Sequence, residues 1–168
     1  MNKVALLIGG NQGDRRALIR QAAEMIRQDI GSVVLASRVY ESKPWGHFGE
    51  VTPQNFLNQA LLVETELTAH QVLEEALLIE AILGRLRPQT PGVAIHAVAE
   101  LPKRVYQSRP MDIDIIFYND EVINTPGLTV PHPCMHQRRF VLEPLAEIIP
   151  DYRHPVLQKT VKELLYEV

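Results

Sequence analysis

The order of strand-like and helix-like patterns along the chain is the feature that most restricts its fold. An apolar run at residues 4–8 predicts a buried strand, and apolar residues at helical spacing between Leu18 and Ile26 predict a helix. Two more strands, a second helix and a fourth strand are then expected near residues 33–42, 55–66, 68–83 and 111–118. A capping box of Thr68 and Gln71 is predicted to open the second helix. This βαββαβ order is typical of an α+β sandwich.

Further elements follow toward the C-terminus. Residues 121–124 and 128–130 predict a small hairpin, and two helical stretches come after it, the last opened by a capping box of Thr160 and Glu163. The chain has 168 residues and shows no repeat or linker, which indicates one domain. We therefore predict a ferredoxin-like βαββαβ sandwich with an additional β-hairpin and C-terminal helices.

Charge and cysteine content argue against several classes of protein. A net charge of −3 does not suit non-specific nucleic-acid binding, which requires a basic face. The single cysteine, Cys134, allows no disulfide within the chain, as is typical of a reducing compartment. No apolar run is long enough for a signal peptide or for the roughly 20 residues that span a membrane. We expect a soluble cytoplasmic protein that binds neither nucleic acid nor membrane.

Two carboxylates alternate with apolar residues in the strand expected at 111–118. Asp112 and Asp114 fall on one face. The other face, which is expected to pack on the core, carries Met111, Ile113, Ile115 and Phe117. Carboxylates about 7 Å apart repel each other by about 2 kcal/mol at an effective dielectric near 20, so the pair favours a nearby cation. Magnesium fits, since it takes one or two carboxylates and completes its shell with phosphate oxygens. A solvated acidic strand face is the alternative.

Arginines lie close to this pair and to breaks in the chain. Arg109 comes three residues before Asp112. Others follow a predicted helix end or a proline-rich break, namely Arg85, Arg87, Arg138 and Arg139. Arginine beside a carboxylate pair is typical of phosphoryl transfer, because the acids hold metal and the bases hold phosphate. Each arginine taken alone fits an ordinary surface position equally well.

Aromatic residues suggest a site for a flat ring. Phe56 and Asn58 share one face of a predicted strand, and a ring beside an amide suits a planar heterocycle. Trp45 and Phe140 could add ring surface, although core packing explains any single aromatic as well. The segment at 9–14 lacks the lysine and hydroxyl of a phosphate-binding loop, so we interpret it as a turn and a helix cap.

Several motifs, taken in order, resemble the 6-hydroxymethyl-7,8-dihydropterin pyrophosphokinase family over nearly the whole chain. They are GGNQGD at 9–14, NFLN at 55–58, IEAILGRLR at 79–87, SRPMDIDI at 108–115 and LTVPHP at 128–133. The resemblance implies transfer of pyrophosphate from ATP to 6-hydroxymethyl-7,8-dihydropterin, which gives AMP and the pterin diphosphate in folate biosynthesis. It implies an ATP-dependent diphosphokinase in which residues 1–168 form a single catalytic domain that acts as a monomer on these small molecules.

The resemblance also implies roles for individual residues. Asp112 and Asp114 would hold two magnesium ions that bridge the ATP phosphates, and Arg85 and Arg109 would complete the catalytic set. The residues implied to bind ATP are Glu80, Arg85, Arg87, Arg109, Ile115, Thr129, His132 and Arg138. The pterin would stack between two phenylalanines, and its site would comprise Ser42, Lys43, Trp45, Phe56, Asn58 and Phe140.

Departures from the family pattern concern the ATP side. Leu77 stands where a glutamine is usual, the run at 106–109 replaces the usual Trp-Gly-Pro-Arg, and the segment from 88 to 105 is long. Because residues 88–107 lack periodicity, we expect them to be mobile without ligand and to close over the phosphates. The apolar runs at 93–95 and 97–99 leave open the alternative of a short strand or of permanent packing on the body of the protein. Two other functions stay open: another magnesium-dependent nucleotidyl or phosphoryl transferase, and a ferredoxin-like binding module.

Overall fold

The computed structural model describes residues 1–44, 47–48, 54–84, 105–106 and 109–168, and in it the elements of the predicted βαββαβ core follow in the expected order. The helices are α1 (Arg15–Asp29), α2 (Ala69–Ile82), α3 (Arg139–Ile148) and α4 (Val161–Glu167), with a 3-10 turn at Met135–Gln137. The strands are β1 (Asn2–Gly10), β2 (Ser32–Ala36), β3 (Tyr40–Ser42), β4 (His47–Phe48), β5 (Phe56–Thr65), β6 (Val105–Tyr106), β7 (Asp112–Tyr118), β8 (Ile123–Thr125) and β9 (Leu128–Val130). No helix in these described ranges is long and apolar enough to cross a membrane.

The main sheet is antiparallel and runs in the order β2–β5–β1–β7, with β3 pairing to β5 beyond the end of β2. Together with the β8–β9 hairpin and the C-terminal helices, this confirms the predicted α+β class with its additions. The single strand expected at 33–42 is wrong, because it is divided at Ser37. There the Ser37 hydroxyl accepts a hydrogen bond from the Ala60 backbone N–H at 2.9 Å. A side-chain oxygen thus takes the place of a backbone carbonyl as the acceptor for this N–H of the sheet.

Helix starts follow the signals that the sequence predicted. The Asp14 carboxylate accepts a hydrogen bond from the Ala17 N–H at 3.1 Å and caps α1. Both predicted capping boxes are present, formed by Thr68 with Gln71 and by Thr160 with Glu163. Each cap of this type contributes about 1 kcal/mol, which fixes where the helices begin.

Each face of the main sheet is covered by a different pair of helices. One buried cluster joins α1 and α2 to sheet residues such as Leu6, Leu61 and Ile113. A second cluster joins α3 and α4 to residues on the opposite face, including Leu7 and Ala60. Asp112 and Asp114 lie on the α3 side, since they alternate with Ile113. The carboxylates therefore face away from α1 and α2.

Strand β7 changes its alternation at a bulge. Its pairing with β1 shifts by one residue at Ile116, and Phe117 packs in the cluster beneath α3, opposite Ile113 and Ile115. The prediction that Phe117 shares a face with Ile113 is wrong, because one inserted residue reverses the faces of everything after it. On the α3 side, β7 consequently presents the polar residues Asp112 and Asp114 first and the apolar Phe117 near its end.

Part of the predicted site lies outside the described residues. Trp45, Arg85 and Arg87 are in this group. Of the expected mobile segment at 88–107, only residues 105–106 are described. They form β6, which pairs in parallel with β4 and so links this segment to the loop after β3.

Candidate active site

The central strand β1 separates the two strands that carry the predicted substrate residues. Gly9 pairs with Asn58 on β5 and with Asp112 on β7, so the three positions form a row across the sheet. Because neighbouring strands are about 4.8 Å apart, Asn58 and Asp112 are separated by about 10 Å. Because glycine has no side chain, no side chain from β1 separates the amide from the carboxylate.

A cavity of about 80 Å³ lies above this row, on the sheet face where α3 begins. Its lining residues are Leu7, Gly9, Ser42, Lys43, Phe56, Asn58, Asp112, Asp114, Arg138 and Phe140. The structure thus brings together every predicted pterin residue that it describes, both predicted metal ligands and one predicted phosphate arginine.

A second cleft of about 350 Å³ runs along the outer edge of β7 toward the β8–β9 hairpin. Three predicted nucleotide residues line it: Ile115, Thr129 and His132. Asp114 lines both this cleft and the first cavity. That carboxylate therefore stands at the junction of the two spaces.

The Asn58 amide is held in a defined orientation. Its Nδ2 donates to the Ser42 hydroxyl at 3.2 Å. Its Oδ1 lies over Gly9, where an added Cβ would come within 2.6 Å of it and within 2.1 Å of the Leu57 carbonyl. A larger residue at position 9 would therefore displace the amide and fill the cavity floor.

Glu80 lies against the outer edge of β7. It is only 2% exposed, and its Oε2 accepts the Ile113 backbone N–H at 2.7 Å. Since backbone groups of alternate strand residues point to the same side, those of Ile115 also face this outer edge. No other strand pairs there among the described residues. The edge at Ile115 offers one donor and one acceptor to a ligand in the second cleft.

Two arginines place positive charge close to the carboxylates and to the cavity wall. Arg109 Nη1 lies 3.6 Å from Asp112 Oδ1, and both side chains are about one-third exposed. The Arg138 guanidinium lies 5.7 Å from the centre of the Phe140 ring, as in a cation–π contact. Arg138 therefore joins the predicted phosphate side of the cavity to its aromatic wall. Arg139 is directed elsewhere, toward Glu143 at 3.6 Å and the Val168 carbonyl at 3.3 Å.

His132 is a neutral imidazole at physiological pH. Burial lowers its pKa to about 4, nearby Arg138 acts in the same direction, and Asp112 opposes both. Its Nδ1 accepts the Cys134 backbone N–H at 3.3 Å, so the ring proton resides on Nε2. The residue is thus suited to donate one hydrogen bond without adding charge.

Protein stability should decrease when the pH falls from about 6.5 to about 4. The pKa of His132 is lower in the folded state than its ordinary value near 6.5, so the unfolded chain binds more protons in this window. We expect the free energy of unfolding to decrease by on the order of 2–3 kcal/mol across it. Urea denaturation at several pH values measures this. His132→Gln should make the free energy of unfolding depend less on pH in this window, whereas His70→Gln, at an exposed residue, should not. An equal pH dependence in both variants would contradict the assignment of this effect to His132.

Sequence reasoning missed three residues near the site. Leu7 and Gly9 form the cavity floor, and Asn11 is buried just beyond the end of β1. Only the glycine pair at the end of β1 was a usable signal, since glycine in a strand often marks a close approach of backbone or ligand. The role of the other two depends on strand pairing, which the sequence did not specify at the level of single residues.

Comparison with known proteins agrees with this geometry. The family model for 7,8-dihydro-6-hydroxymethylpterin-pyrophosphokinase (HPPK) matches residues 5–150. The chain belongs to the HPPK family. This membership confirms the reaction predicted from the sequence, which is pyrophosphoryl transfer from ATP to 6-hydroxymethyl-7,8-dihydropterin in folate biosynthesis.

Individual HPPK relatives are similar along most of their length. The 2-amino-4-hydroxy-6-hydroxymethyldihydropteridine pyrophosphokinase of Porphyromonas gingivalis is 36% identical over 153 residues, or 90% of this chain and 93% of that protein. The enzyme of the same name from Aquifex aeolicus is 36% identical over 163 residues, or 97% of this chain and 90% of that protein. The one from Methylorubrum extorquens is 37% identical over 167 residues, or 98% and 92%.

Solved HPPK-DHPS structures share the fold. The crystal structure of HPPK-DHPS in complex with substrates matches 99% of this chain and 45% of that one, with a TM-score of 0.71 and 14% identity. The wild-type HPPK-DHPS of Plasmodium falciparum with STZ-DHP matches 99% and 43%, with a TM-score of 0.68 and 16% identity. The chain spans less than half the length of these solved chains, and identities this low show a common fold alone.

Proposed function

We propose that the enzyme binds its two substrates in the two adjoining cavities and transfers the pyrophosphoryl group across the junction at Asp114. The single observation that carries this proposal is that Asp114 lines both spaces. ATP would lie along the edge of β7, with its phosphates over Asp112 and Asp114. The pterin would occupy the cavity between Phe56 and Phe140, with its hydroxymethyl group toward the carboxylates.

The carboxylate pair fits two magnesium ions that arrive with ATP. Asp112 and Asp114 project from one strand face beside an open cavity, and hard oxygen ligands are those that magnesium prefers. When bound, magnesium neutralises charge that develops on the phosphate oxygens. Arg109, beside Asp112, and Arg138, in the cavity wall, would contact the same phosphates, with Arg85 and Arg87 supplementing them.

On the nucleotide side, the adenine would hydrogen-bond to the open backbone of Ile115. One N–H and one C=O match the acceptor and donor on the edge of adenine. Thr129 and His132 line the same cleft, and the neutral His132 can donate from Nε2 to a phosphate or ribose oxygen. Glu80, which holds the neighbouring Ile113 N–H, would keep this edge of β7 in place next to the nucleoside.

The reaction then requires alignment of the acceptor hydroxyl with the β-phosphorus. Attack of the pterin hydroxyl at that phosphorus forms the new P–O bond and releases the hydroxyl proton, while the bond from the β-phosphorus to the α-phosphate oxygen breaks and AMP leaves. Such transfers depend mainly on positioning and on electrostatic stabilisation of the transition state. The residues of this chain would supply both: stacking and amide contacts orient the pterin, and the arginines stabilise negative charge.

Asn58→Ala is expected to weaken pterin binding by about 1–3 kcal/mol, because polar atoms of the buried heterocycle lose their partner. ATP affinity should remain within about twofold, since Asn58 lies about 10 Å from Asp112 across Gly9. Titration calorimetry with each ligand measures the two affinities. A defect confined to ATP would reverse the assignment of the two cavities.

We further propose the wider setting of this function. The βαββαβ strand order supports a ferredoxin-like core, and we infer that residues 1–168 act as a single catalytic domain. We also propose that the enzyme acts as a monomer in the cytoplasm on ATP and the pterin alone, and binds neither nucleic acid nor membrane. Size-exclusion chromatography with light scattering tests the oligomeric state.

Product analysis tests the proposed reaction at this site. With magnesium, ATP and the hydroxymethyl pterin, AMP should form in step with the pterin diphosphate, and a pterin lacking the hydroxyl should give none. A nucleotidyl transferase would instead release pyrophosphate, and a binding module would release neither product. Either of those results would overturn the proposal.

A further inference from the structure

Asn11 connects the beginnings of the two strands that carry the substrate residues. It is 1% exposed, immediately after β1. Its Nδ2 donates to the Gln54 carbonyl at 3.0 Å, and its Oδ1 accepts the Arg109 N–H at 2.8 Å. Its own backbone N–H donates to the Arg109 carbonyl at 2.9 Å. One carboxamide therefore contacts both segments, and Arg109 is held through both of its backbone groups.

These two segments lead directly into the active site. Gln54 lies two residues before Phe56, at the start of β5, and Arg109 lies three residues before Asp112, the first residue of β7. The backbone of Arg109 precedes β7, so it receives its hydrogen bonds from Asn11 rather than from the sheet ladder. Just before the first residue of β7, Asn11 therefore supplies the backbone hydrogen bonds that a neighbouring strand would supply within the sheet.

The close approach of the backbone supports the same conclusion. A Cβ added to Gly10 would come within 2.3 Å of the Pro110 carbonyl oxygen and 2.6 Å of the Arg109 carbonyl oxygen. The backbone at the end of β1 therefore packs closely against the backbone of Arg109. Only a residue without a side chain at position 10 lets the backbone of Arg109 and Pro110 approach the end of β1 this closely.

We propose that Asn11 is a positioning residue that fixes Arg109 relative to the pterin wall of the cavity. This inference depends on the proposed function, in which Arg109 contacts the transferring phosphates and Phe56 stacks on the pterin. The Arg109 side chain is one-third exposed, and its ion pair with Asp112 is long at 3.6 Å, so that contact alone does not fix its position. The hydrogen bonds from Asn11 to both backbone groups of Arg109, here called the backbone clamp, do fix its position. A displacement of about 1 Å in a catalytic group lowers turnover about 100-fold.

If the backbone clamp positions Arg109, Asn11→Ala should lower kcat much more than it changes KM. The kcat should fall by about 10- to 100-fold, while the KM values for ATP and pterin change by less than about threefold, because Asn11 lines neither proposed substrate cavity. Asn11→Asp keeps an acceptor for the Arg109 N–H but loses the donor to Gln54. It serves as the second variant if the alanine protein does not fold.

A double-mutant cycle with Arg109→Ala separates positioning from general damage. If Asn11 acts through Arg109, then Asn11→Ala or Asn11→Asp should lower kcat by less than about twofold in the Arg109→Ala background. Losses that multiply in the double variant would overturn the inference, and so would a kcat within about twofold of the wild type in the single Asn11 variants. A wild-type kcat in Arg109→Ala itself would show that the assigned role of Arg109 is wrong, which is a separate failure.

Thr65→Val is the matched control. Thr65 is also buried, and its hydroxyl joins two segments by donating to the Ile30 carbonyl at 2.6 Å and accepting the Leu67 N–H at 3.1 Å. It lies at the opposite end of β5, far from the cavity. This variant should lower the thermal midpoint but keep kcat within about twofold of the wild type. If it lowers kcat as much as Asn11→Ala does, the effect of Asn11 is general destabilisation and the inference fails.

Discussion

Replacing Asp112 or Asp114 by alanine is expected to lower kcat by about 10³-fold or more while the fold survives. Each carboxylate would hold magnesium beside the phosphates, and such charge stabilisation is worth several kcal/mol in the transition state. The effect on stability should be small. Asp112→Ala removes an ion pair with Arg109 whose side chains are about one-third exposed, which contributes at most about 1 kcal/mol, and Asp114→Ala removes a like-charged neighbour of Asp112.

Asp120→Ala is the control for this prediction. It removes the same charge from an exposed turn just past the end of β7, far from the cavity. Steady-state turnover and thermal midpoints should be measured for all three variants at saturating magnesium and ATP. We expect midpoints within about 4 °C of the wild type. Substantial turnover in either Asp112→Ala or Asp114→Ala would exclude the assigned metal site.

Arg109→Ala should reduce kcat/KM by about 10²- to 10³-fold, and Arg139→Ala by no more than about threefold. Arg109 lies beside the carboxylates, where a cation acts mainly on charge that develops during transfer. Arg139 lies on the exposed side of α3 and contacts Glu143 and the C-terminal residue Val168. The two variants remove the same side chain, so the difference reports position alone.

The arginine comparison needs both kcat and KM. A loss of kcat in Arg109→Ala with an unchanged KM for ATP would show that the contact is made in the transition state. Arg109→Lys should restore only part of the rate, because an ammonium does not reproduce the forked contact of a guanidinium. Equal losses in the Arg109 and Arg139 variants would mean that the arginines facing the phosphates have been misassigned.

Local sequence signals predicted much of this molecule because they act over a few residues. The caps at Asp14, Thr68 and Thr160 each depend on a side chain that contacts a backbone group three residues away. The alternation that places Asp112 and Asp114 on one face likewise requires only the geometry of a single strand. These features were predicted correctly before any partner strand was known.

The failures concern contacts between residues distant in sequence. The division of the strand at Ser37 depends on Ala60, 23 residues away, and the reversal at Phe117 depends on how β7 pairs with β1. The position of the bulge is not marked locally, because Ile115, Ile116 and Phe117 form a continuous apolar run that fits a strand buried on both faces equally well. Pairing energies between strands, rather than propensities within them, decide where such irregularities fall.

The sequence by itself thus determined the chemical groups: the carboxylate pair, the arginines, the aromatic residues and the order of elements that bear them. Only the tertiary structure decided that Gly9 separates Asn58 from Asp112 and that Asp114 lies at the junction of two cavities. It also decided that Asn11 joins Gln54 to Arg109, across 43 and 98 residues respectively. Such distances follow from strand pairing, in which small free-energy differences summed over many residues select one register, and no short stretch of sequence contains that sum.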